Sequence, residues 1–159
     1  MILAIDPGTE QSAWVQMVGA AIKDSAIEQN KDLLERMREW QQGPEWQTSR
    51  LGPSMLIEKV ESYGMAVGAD VFETVFWTGC FCEAWGHCER IPRKDVKMAL
   101  CGSMKAKDAN IRQAIIDRYG GKDKAIGKKK TPGPLYGVKS HIWSALAIAI
   151  TWQIREGGE

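Results

Sequence analysis

The chain begins with three strand-like segments and then becomes largely helical, and this order limits its fold more than any other feature of the sequence. Residues 2–6 are apolar up to a closing Asp-Pro-Gly, which predicts a buried strand that stops at a turn. Residues 12–18 and 20–29 mix apolar and polar side chains and predict a hairpin. Residues 55–60 predict a central fourth strand. Strands in a meander followed by strands that alternate with helices predict an α/β fold, a mixed sheet with helices on its faces.

Apolar residues recur at helical spacing over much of the remaining chain. The last helical segment is apolar on most sides, which predicts a buried helix. Asn30 and Ser140 are the predicted N-caps of the first and last helices. The segment that ends at Pro53 and the basic segment 122–137 are predicted loops, because both contain Gly and Pro. The predicted helices cover residues 30–42, 65–85, 93–100, 108–119 and 141–154.

The length of 159 residues, with 44% hydrophobic and 26% charged residues, predicts a single compact domain over residues 1–159. Four cysteines and aperiodic Gly and Pro exclude a disulfide scaffold and a collagen-like chain. No secretory signal is visible at the start, and the apolar run 142–150 is far shorter than the roughly 20 residues that span a bilayer. We therefore expect a cytoplasmic protein without a membrane segment and with reduced cysteines.

Positive charge is concentrated in the middle of the chain. Residues 90–130 hold thirteen Lys or Arg and four Asp, although the net charge of the whole chain is only +1. Such a segment favours a polyanionic partner, nucleic acid being the commonest, while a solvated lysine-rich face is the alternative.

Three polar residues stand where burial is expected: Asp6 at the end of the first strand, Glu58 inside the fourth, and His141 in the first turn of the last helix. Singly, they are explained as a turn residue, the partner of a buried arginine and a helix-start residue. If the two strands are parallel neighbours, both acids lie together at the carboxyl ends of the strands, where open α/β sheets hold their sites. Two carboxylates suit Mg²⁺ or Mn²⁺, and such ions support phosphodiester hydrolysis. The helix N-terminus favours a neutral His141, available as ligand or base.

Several short motifs, in this order and spacing, resemble the RuvC-type Holliday junction resolvases, most strongly the compact RuvC-like proteins of bacteriophages. The resemblance covers nearly the whole chain. It implies a ribonuclease H-like fold with a mixed five-stranded sheet, a homodimer, divalent-metal dependence and cleavage of four-way DNA junctions in the host bacterial cytoplasm. The motifs are Ile5-Asp6-Pro7-Gly8-Thr9, Ile57-Glu58, Val96-Lys97 with Gly102 and Ala106-Lys107, and Ser144-Ala-Leu-Ala-Ile-Ala-Ile-Thr151.

The resemblance assigns the site residue by residue. Asp6 and Glu58 match the first two metal-binding acids of the family, and the last two acidic positions are occupied here by His141 and Ser144. A histidine is compatible with metal binding, whereas serine is a poor substitute for Asp because it is neutral and weakly basic. The implied metal ligands are Asp6, Glu58 and His141, with Ser144 as a fourth site residue. Glu61 is an unsuitable replacement, because an offset of three residues points it to the opposite strand face from Glu58.

The resemblance also gives the basic segment a role in binding DNA phosphates, which adds salt-dependent affinity without reading bases. Tyr63 and Met65 have two explanations: wedges that unstack bases at the junction centre, or core residues, which we favour. The residues expected to bind DNA are Lys94, Lys97, Lys105, Lys107, Arg112 and, on a flexible arm, Lys128, Lys129 and Lys130.

Two other features of the sequence have a structural explanation. Cys80, Cys82, His87 and Cys88 are four candidate zinc ligands, but they lack a C-x₂-C pair and most fall within a predicted helix, so zinc is disfavoured. The long apolar helix 65–85 is expected to contribute to a dimer interface.

The sequence therefore predicts a metal-dependent endonuclease that resolves Holliday junctions or related branched DNA, without a small-molecule cofactor. Two alternatives remain open. A non-catalytic protein that binds branched DNA is favoured by the missing fourth acid, and a less specific metal-dependent nuclease fits the same fold.

Overall fold

The computed structural model describes residues 1–44, 54–62 and 64–157. Most of the predicted loop that ends at Pro53 lies outside the described residues, and so does Tyr63. The described part contains a five-stranded sheet with the order β3-β2-β1-β4-β5. The strands are β1 (Ile2–Asp6), β2 (Gln11–Val18), β3 (Ala21–Gln29), β4 (Ser54–Lys59) and β5 (Cys88–Pro92).

The sheet is mixed, as predicted. β2 runs antiparallel to both β1 and β3, whereas β4 runs parallel to both of its neighbours, β1 and β5. The segment that forms β5 is largely polar, and only Ile91 is fully buried there. This edge strand is thus defined by its pairing with β4 and not by a hydrophobic pattern. For that reason the sequence does not single it out.

Helices cover both faces of the sheet, and their bounds follow the predicted ones closely except at two starts. The helix predicted from residue 65 begins only at Ala69, after Gly68 in extended backbone. The last helix begins at Ile142, and its predicted cap Ser140 instead has a φ of 46°. The helices are α1 (Asn30–Gln42), α2 (Ala69–Trp85), α3 (Arg93–Cys101), α4 (Asp108–Arg118), α5 (Lys122–Ala125) and α6 (Ile142–Gly157). In the described part of the chain, none of them is both long and apolar enough to traverse a bilayer.

Alternation along β1 divides the core into two clusters. Ile2 and Ala4 pack with Leu56 of β4 against the apolar face of α6, which is buried as predicted. Leu3 and Ile5 face the other way and pack with residues of α1 and α2. Because side chains on a strand alternate between faces, Asp6 continues the α6-facing row of Ala4, and Glu58 continues that of Leu56.

Asn30 was predicted to cap α1, but it lies inside the helix and has another role. Its side chain is buried, accepts a hydrogen bond from Ser12 Oγ at 2.6 Å and donates to the Gly8 carbonyl at 3.0 Å. Ser12 Oγ in turn accepts from the Gly8 N–H at 3.2 Å. A Cβ on Gly8 would come within 2.3 Å of the Gln11 carbonyl oxygen, so the turn after Asp6 requires glycine.

The basic segment 122–137 is more ordered than the loop and flexible arm that were predicted. It contains the short helix α5 and a two-stranded hairpin of β6 (Gly127–Lys128) and β7 (Thr131–Pro132). Gly127 has a φ of 67°, and a Cβ there would lie 2.3 Å from the Thr131 carbonyl oxygen. Lys128 is thus the last residue of β6, and Lys129 and Lys130 form the turn of the hairpin.

The expectation of four reduced cysteines is wrong for one pair, because Cys82 and Cys88 form a disulfide. α2 ends at Gly86, whose φ of 85° reverses the chain and brings the start of β5 back against the last turn of the helix. Cys80 and Cys101 are free. Two of the four candidate zinc ligands are thus joined to each other.

Reduction of the disulfide is expected to lower the free energy of unfolding by about 2 kcal/mol, because the bridge closes a short loop in the unfolded chain. Urea unfolding with and without a thiol reductant measures this difference. Cys101→Ser should keep the full sensitivity to reductant, and the double variant Cys82→Ser/Cys88→Ser should show none. A parent midpoint that does not move on reduction would contradict the bridge.

Candidate functional site

Two carboxylates lie side by side at the carboxyl ends of neighbouring parallel strands. Ile5 of β1 is in register with Ile57 of β4, so that the next residues along the two strands are Asp6 and Glu58. Both continue the row of side chains that faces α6. The conditional prediction from the sequence, that parallel pairing would bring these acids together, is therefore fulfilled in the register of the sheet.

The start of α6 supplies the next two side chains, since His141 directly precedes the helix and Ser144 lies in its first turn. His141 Nδ1 lies 3.0 Å from Asp6 Oδ2, while the imidazole is 72% exposed. Ser144 lies close enough to Asp6 to lower the pKa of this carboxyl slightly. Burial raises the pKa of Asp6 above its ordinary value, and the His141, Arg93 and Ser144 interactions offset this only in part. Asp6, His141 and Ser144 thus form one connected group.

Glu58 is the most perturbed acid of the site. Burial and then the charge of Asp6 raise the pKa of Glu58 to about 7, against the smaller opposing effect of Arg93. Two carboxylates that resist simultaneous ionisation indicate a local shortage of positive charge. A divalent cation is a group that would supply such charge.

Arg93 and Asp108 also belong to this neighbourhood, although the sequence-based predictions did not include them as site residues. Arg93 Nη1 lies 3.5 Å from Glu58 Oε2, and its Nη2 donates to Asp108 Oδ1. The explanation of Glu58 as the partner of an arginine is therefore correct as far as this contact goes. The sequence did not point to Arg93, because this residue directly follows β5, a strand that the sequence does not single out and whose Ile91 is in register with Glu58.

The donor set fits Mg²⁺ or Mn²⁺ in its chemistry, with two carboxylates and one imidazole on adjacent elements. Among the described residues, however, no three Asp, Glu, His or Cys side chains already converge to hold a metal ion. The three candidate ligands are instead engaged in two ion pairs. Asp6 pairs with His141, and Glu58 pairs with Arg93. Glu61 stays out of both, since it pairs with Lys59 at 2.7 Å.

Two clefts open on either side of His141. The first, of about 390 Å³, is lined by Asp6 and the turn 7–11. The second, of about 600 Å³, is lined by Ser144, Asp108 and Arg112 among others. An extended ligand that follows both clefts would pass Asp6 and cross His141, which lines both of them.

The residues predicted to bind DNA are exposed, except for Lys97, which is half-buried. Arg112 lies over the indole of Trp143, 4.8 Å from the ring centroid, and lines the second cleft. Lys105 and Lys107 stand just before α4, whose first residue is Asp108. Met65 is 70% exposed, so the favoured explanation of this residue as part of the core is wrong.

No protein-family model and no curated protein matches this chain. Solved structures do match. A structure of Thermus thermophilus RuvC superposes with a TM-score of 0.60 at 19% identity over 98% of this chain and 96% of that chain. T. thermophilus RuvC in complex with a Holliday junction substrate gives a TM-score of 0.60 at 18% identity, with coverages of 98% and 95%. The predicted ribonuclease H-like fold of RuvC type is therefore confirmed, and the link to bacteriophage proteins stays a prediction.

Proposed function

We propose that this protein is a structure-selective endonuclease that cleaves Holliday junctions or other branched DNA by metal-assisted phosphodiester hydrolysis. The observation that carries the proposal is the pair of carboxylates, Asp6 and Glu58, at the carboxyl ends of parallel strands. The shared fold with a RuvC solved on a Holliday junction supports the choice of branched DNA as substrate. A single nuclease domain over residues 1–159 and a cytoplasmic location stay predictions.

Asp6, Glu58 and His141 would hold Mg²⁺ or Mn²⁺. A bound ion of this kind activates water as a nucleophile and stabilises the leaving oxygen. When His141 donates its Nδ1 proton to Asp6, its Nε2 is left as a ligand or proton acceptor on an exposed imidazole. Asp6 thereby fixes the ring, and Ser144, in the first turn of α6, lies beside Asp6.

Ser144→Asp is expected to lower the Mg²⁺ concentration needed for half-maximal cleavage by about tenfold, because a third carboxylate beside Asp6 strengthens the site. Cleavage rates over a Mg²⁺ titration give this value. The matched variant Ser144→Asn has a similar shape without the charge and should show no such gain. Equal Mg²⁺ requirements for the parent and Ser144→Asp would show that this position does not border the ion.

We further propose that the exposed cations beside the site bind DNA phosphates. The variant Lys105→Ala/Lys107→Ala should weaken junction binding and reduce the slope of log K against log salt by about 0.9 for each phosphate that is no longer neutralised. Binding titrations at several salt concentrations measure the slope.

Lys23→Ala/Arg155→Ala is the matched control, since it also removes two positive charges. These charges lie at the opposite end of the sheet, where Gln153 donates to the Gly19 carbonyl. If the slope changes equally in both variants, Lys105 and Lys107 act only through the net charge of the protein and do not contact phosphates.

A homodimer would place two such sites against opposing strands of a junction. The exposed face of α2 favours this assembly, since Phe72, Val75 and Phe76 are large apolar side chains open to solvent. Sedimentation equilibrium of the parent and of Phe76→Glu decides whether this face joins two copies.

One experiment separates the nuclease from its two alternatives. The protein is incubated with a four-way junction and with linear duplex of the same sequence, each with Mg²⁺, Mn²⁺ or a chelator. Metal-dependent nicks near the crossover of the junction are the expected result. Junction binding without cleavage in any condition would identify a binding protein, and equal cleavage of both substrates would identify a less specific nuclease.

A further inference from the structure

A guanidinium lies among the acids of the candidate site. Arg93 contacts Glu58 at 3.5 Å through one terminal nitrogen and Asp108 through the other. The Arg93 side chain is only 21% exposed, whereas that of Asp108 is 83% exposed. Arg93 therefore connects an inner carboxylate to one at the surface.

The fold itself positions this arginine. β5 ends at Pro92, which pairs in register with the residue after Glu58, and α3 begins directly at Arg93. Asp108 begins α4, a separate element that packs beside α3. The two acids that share the guanidinium thus belong to different layers of the molecule.

We propose that Arg93 is a phosphate-binding catalytic residue of this site, held by Glu58 and Asp108 until DNA and a divalent cation enter. The inference rests on the proposed nuclease function. A cation bound to Glu58 repels a guanidinium 3.5 Å from the same carboxylate, so the two compete for Glu58. Asp108 retains Arg93 during this exchange because it contacts the other terminal nitrogen.

Charge and donor geometry both favour a phosphate as the third partner. When ionised, Asp6, Glu58 and Asp108 carry three negative charges against the single charge of Arg93, an excess that one divalent cation neutralises. A guanidinium has five N–H donors in a planar fork, which suits two oxygens of a phosphodiester. Asp108 also lines the cleft that contains His141 and Ser144, so Arg93 is tethered at the edge of the path proposed for DNA.

The test measures metal binding and cleavage separately. Mn²⁺ is titrated calorimetrically into the metal-free protein without DNA, and junction cleavage is then followed in single turnovers at saturating Mn²⁺. Arg93→Ala is expected to bind Mn²⁺ about tenfold more tightly, because a competing charge is gone. It is also expected to cleave about 100-fold more slowly, because a donor to the phosphate is missing.

Arg93→Gln provides the same test with a longer side chain if Arg93→Ala does not fold, and thermal unfolding of each variant checks this. Arg155→Ala is the matched control, since it removes an arginine that pairs with Glu89 at the opposite end of the sheet. It should change neither measurement.

The outcomes distinguish this inference from the proposed function. Mn²⁺ binding by the parent with no gain in either Arg93 variant, or cleavage by those variants within threefold of the parent rate, would overturn the inference alone. Failure of the parent and of both Arg93 variants to bind Mn²⁺ would overturn the inference together with the proposed metal site. Tighter Mn²⁺ binding combined with slower cleavage is the result that supports it.

Discussion

Asp6→Asn is expected to slow junction cleavage by about 1000-fold while junction binding stays within about threefold of the parent, a loss of roughly 4 kcal/mol in transition-state stabilisation. Asp6 has its side chain largely buried, contacts His141 and Ser144, and faces Glu58 across the strand pair. The amide keeps the shape of the carboxylate and can still accept from His141. What it removes is the negative charge that a divalent cation requires.

Binding should survive because the lysines proposed to contact DNA lie elsewhere. Lys105 and Lys107 precede α4, whereas the hydrogen-bond partner of Asp6 is His141 at the start of α6. Removal of one negative charge near the path of the phosphates lowers the repulsion of DNA and does not oppose its association. Cleavage in single turnovers and binding in a chelator measure the two effects independently.

Asp24→Asn is the matched control for this prediction. Asp24 is exposed on β3, accepts from the Ser25 N–H at 2.8 Å, and undergoes the same change of charge far from the paired acids. It should cleave at the parent rate. If Asp6→Asn cleaves within tenfold of the parent, Asp6 is not a metal ligand, and the carboxylate pair loses its proposed role.

The paired acids were predictable because simple periodicity positions them. An apolar strand that ends in Asp6 and an apolar strand interrupted by Glu58 need only parallel pairing to bring the two side chains to one edge. The apolar pattern of the last helix likewise predicts that it packs on the sheet, which brings His141 to Asp6. Local patterns and one topological assumption therefore define most of the site.

Several features that the sequence did not predict depend on how segments meet in the folded chain. β5 has one fully buried residue and is a strand because β4 supplies its partner. The Cys82–Cys88 bridge depends on the reversal at Gly86. Arg93 joins Glu58 only because α3 starts where β5 ends, and neither residue type nor spacing reveals that meeting.

Glu58→Gln is expected to have opposite effects on activity and stability. Cleavage should fall by about 1000-fold, since a metal-binding carboxylate is removed. The metal-free variant should nevertheless be more stable than the parent by roughly 1–3 kcal/mol at about pH 8, because each unit of pKa difference corresponds to about 1.4 kcal/mol. Burial and the charge of Asp6 raise the pKa of Glu58 from 4.5 to about 7, so folding at high pH ionises an unfavourably placed group.

The direction of the pH dependence follows from the raised pKa. The contribution of Glu58 to stability is fully present below its unfolded pKa of 4.5 and is lost as the pH rises through about 7. Glutamine resembles the protonated acid at every pH. The two unfolding free energies should therefore agree below about pH 4, diverge between the two pKa values and differ by a constant amount above about pH 8.

Urea unfolding in a chelator across this pH range measures the divergence, and the same series with Mn²⁺ should reverse it. A cation that binds the folded parent stabilises that protein by mass action, whereas the variant gains much less. Glu28→Gln serves as the control. Glu28 lies on the outer strand β3 and pairs with Arg36 of α1, so its replacement should not raise the free energy of unfolding at high pH. Parallel pH profiles for the parent and Glu58→Gln would contradict the buried, repelled carboxylate on which the proposed metal site depends.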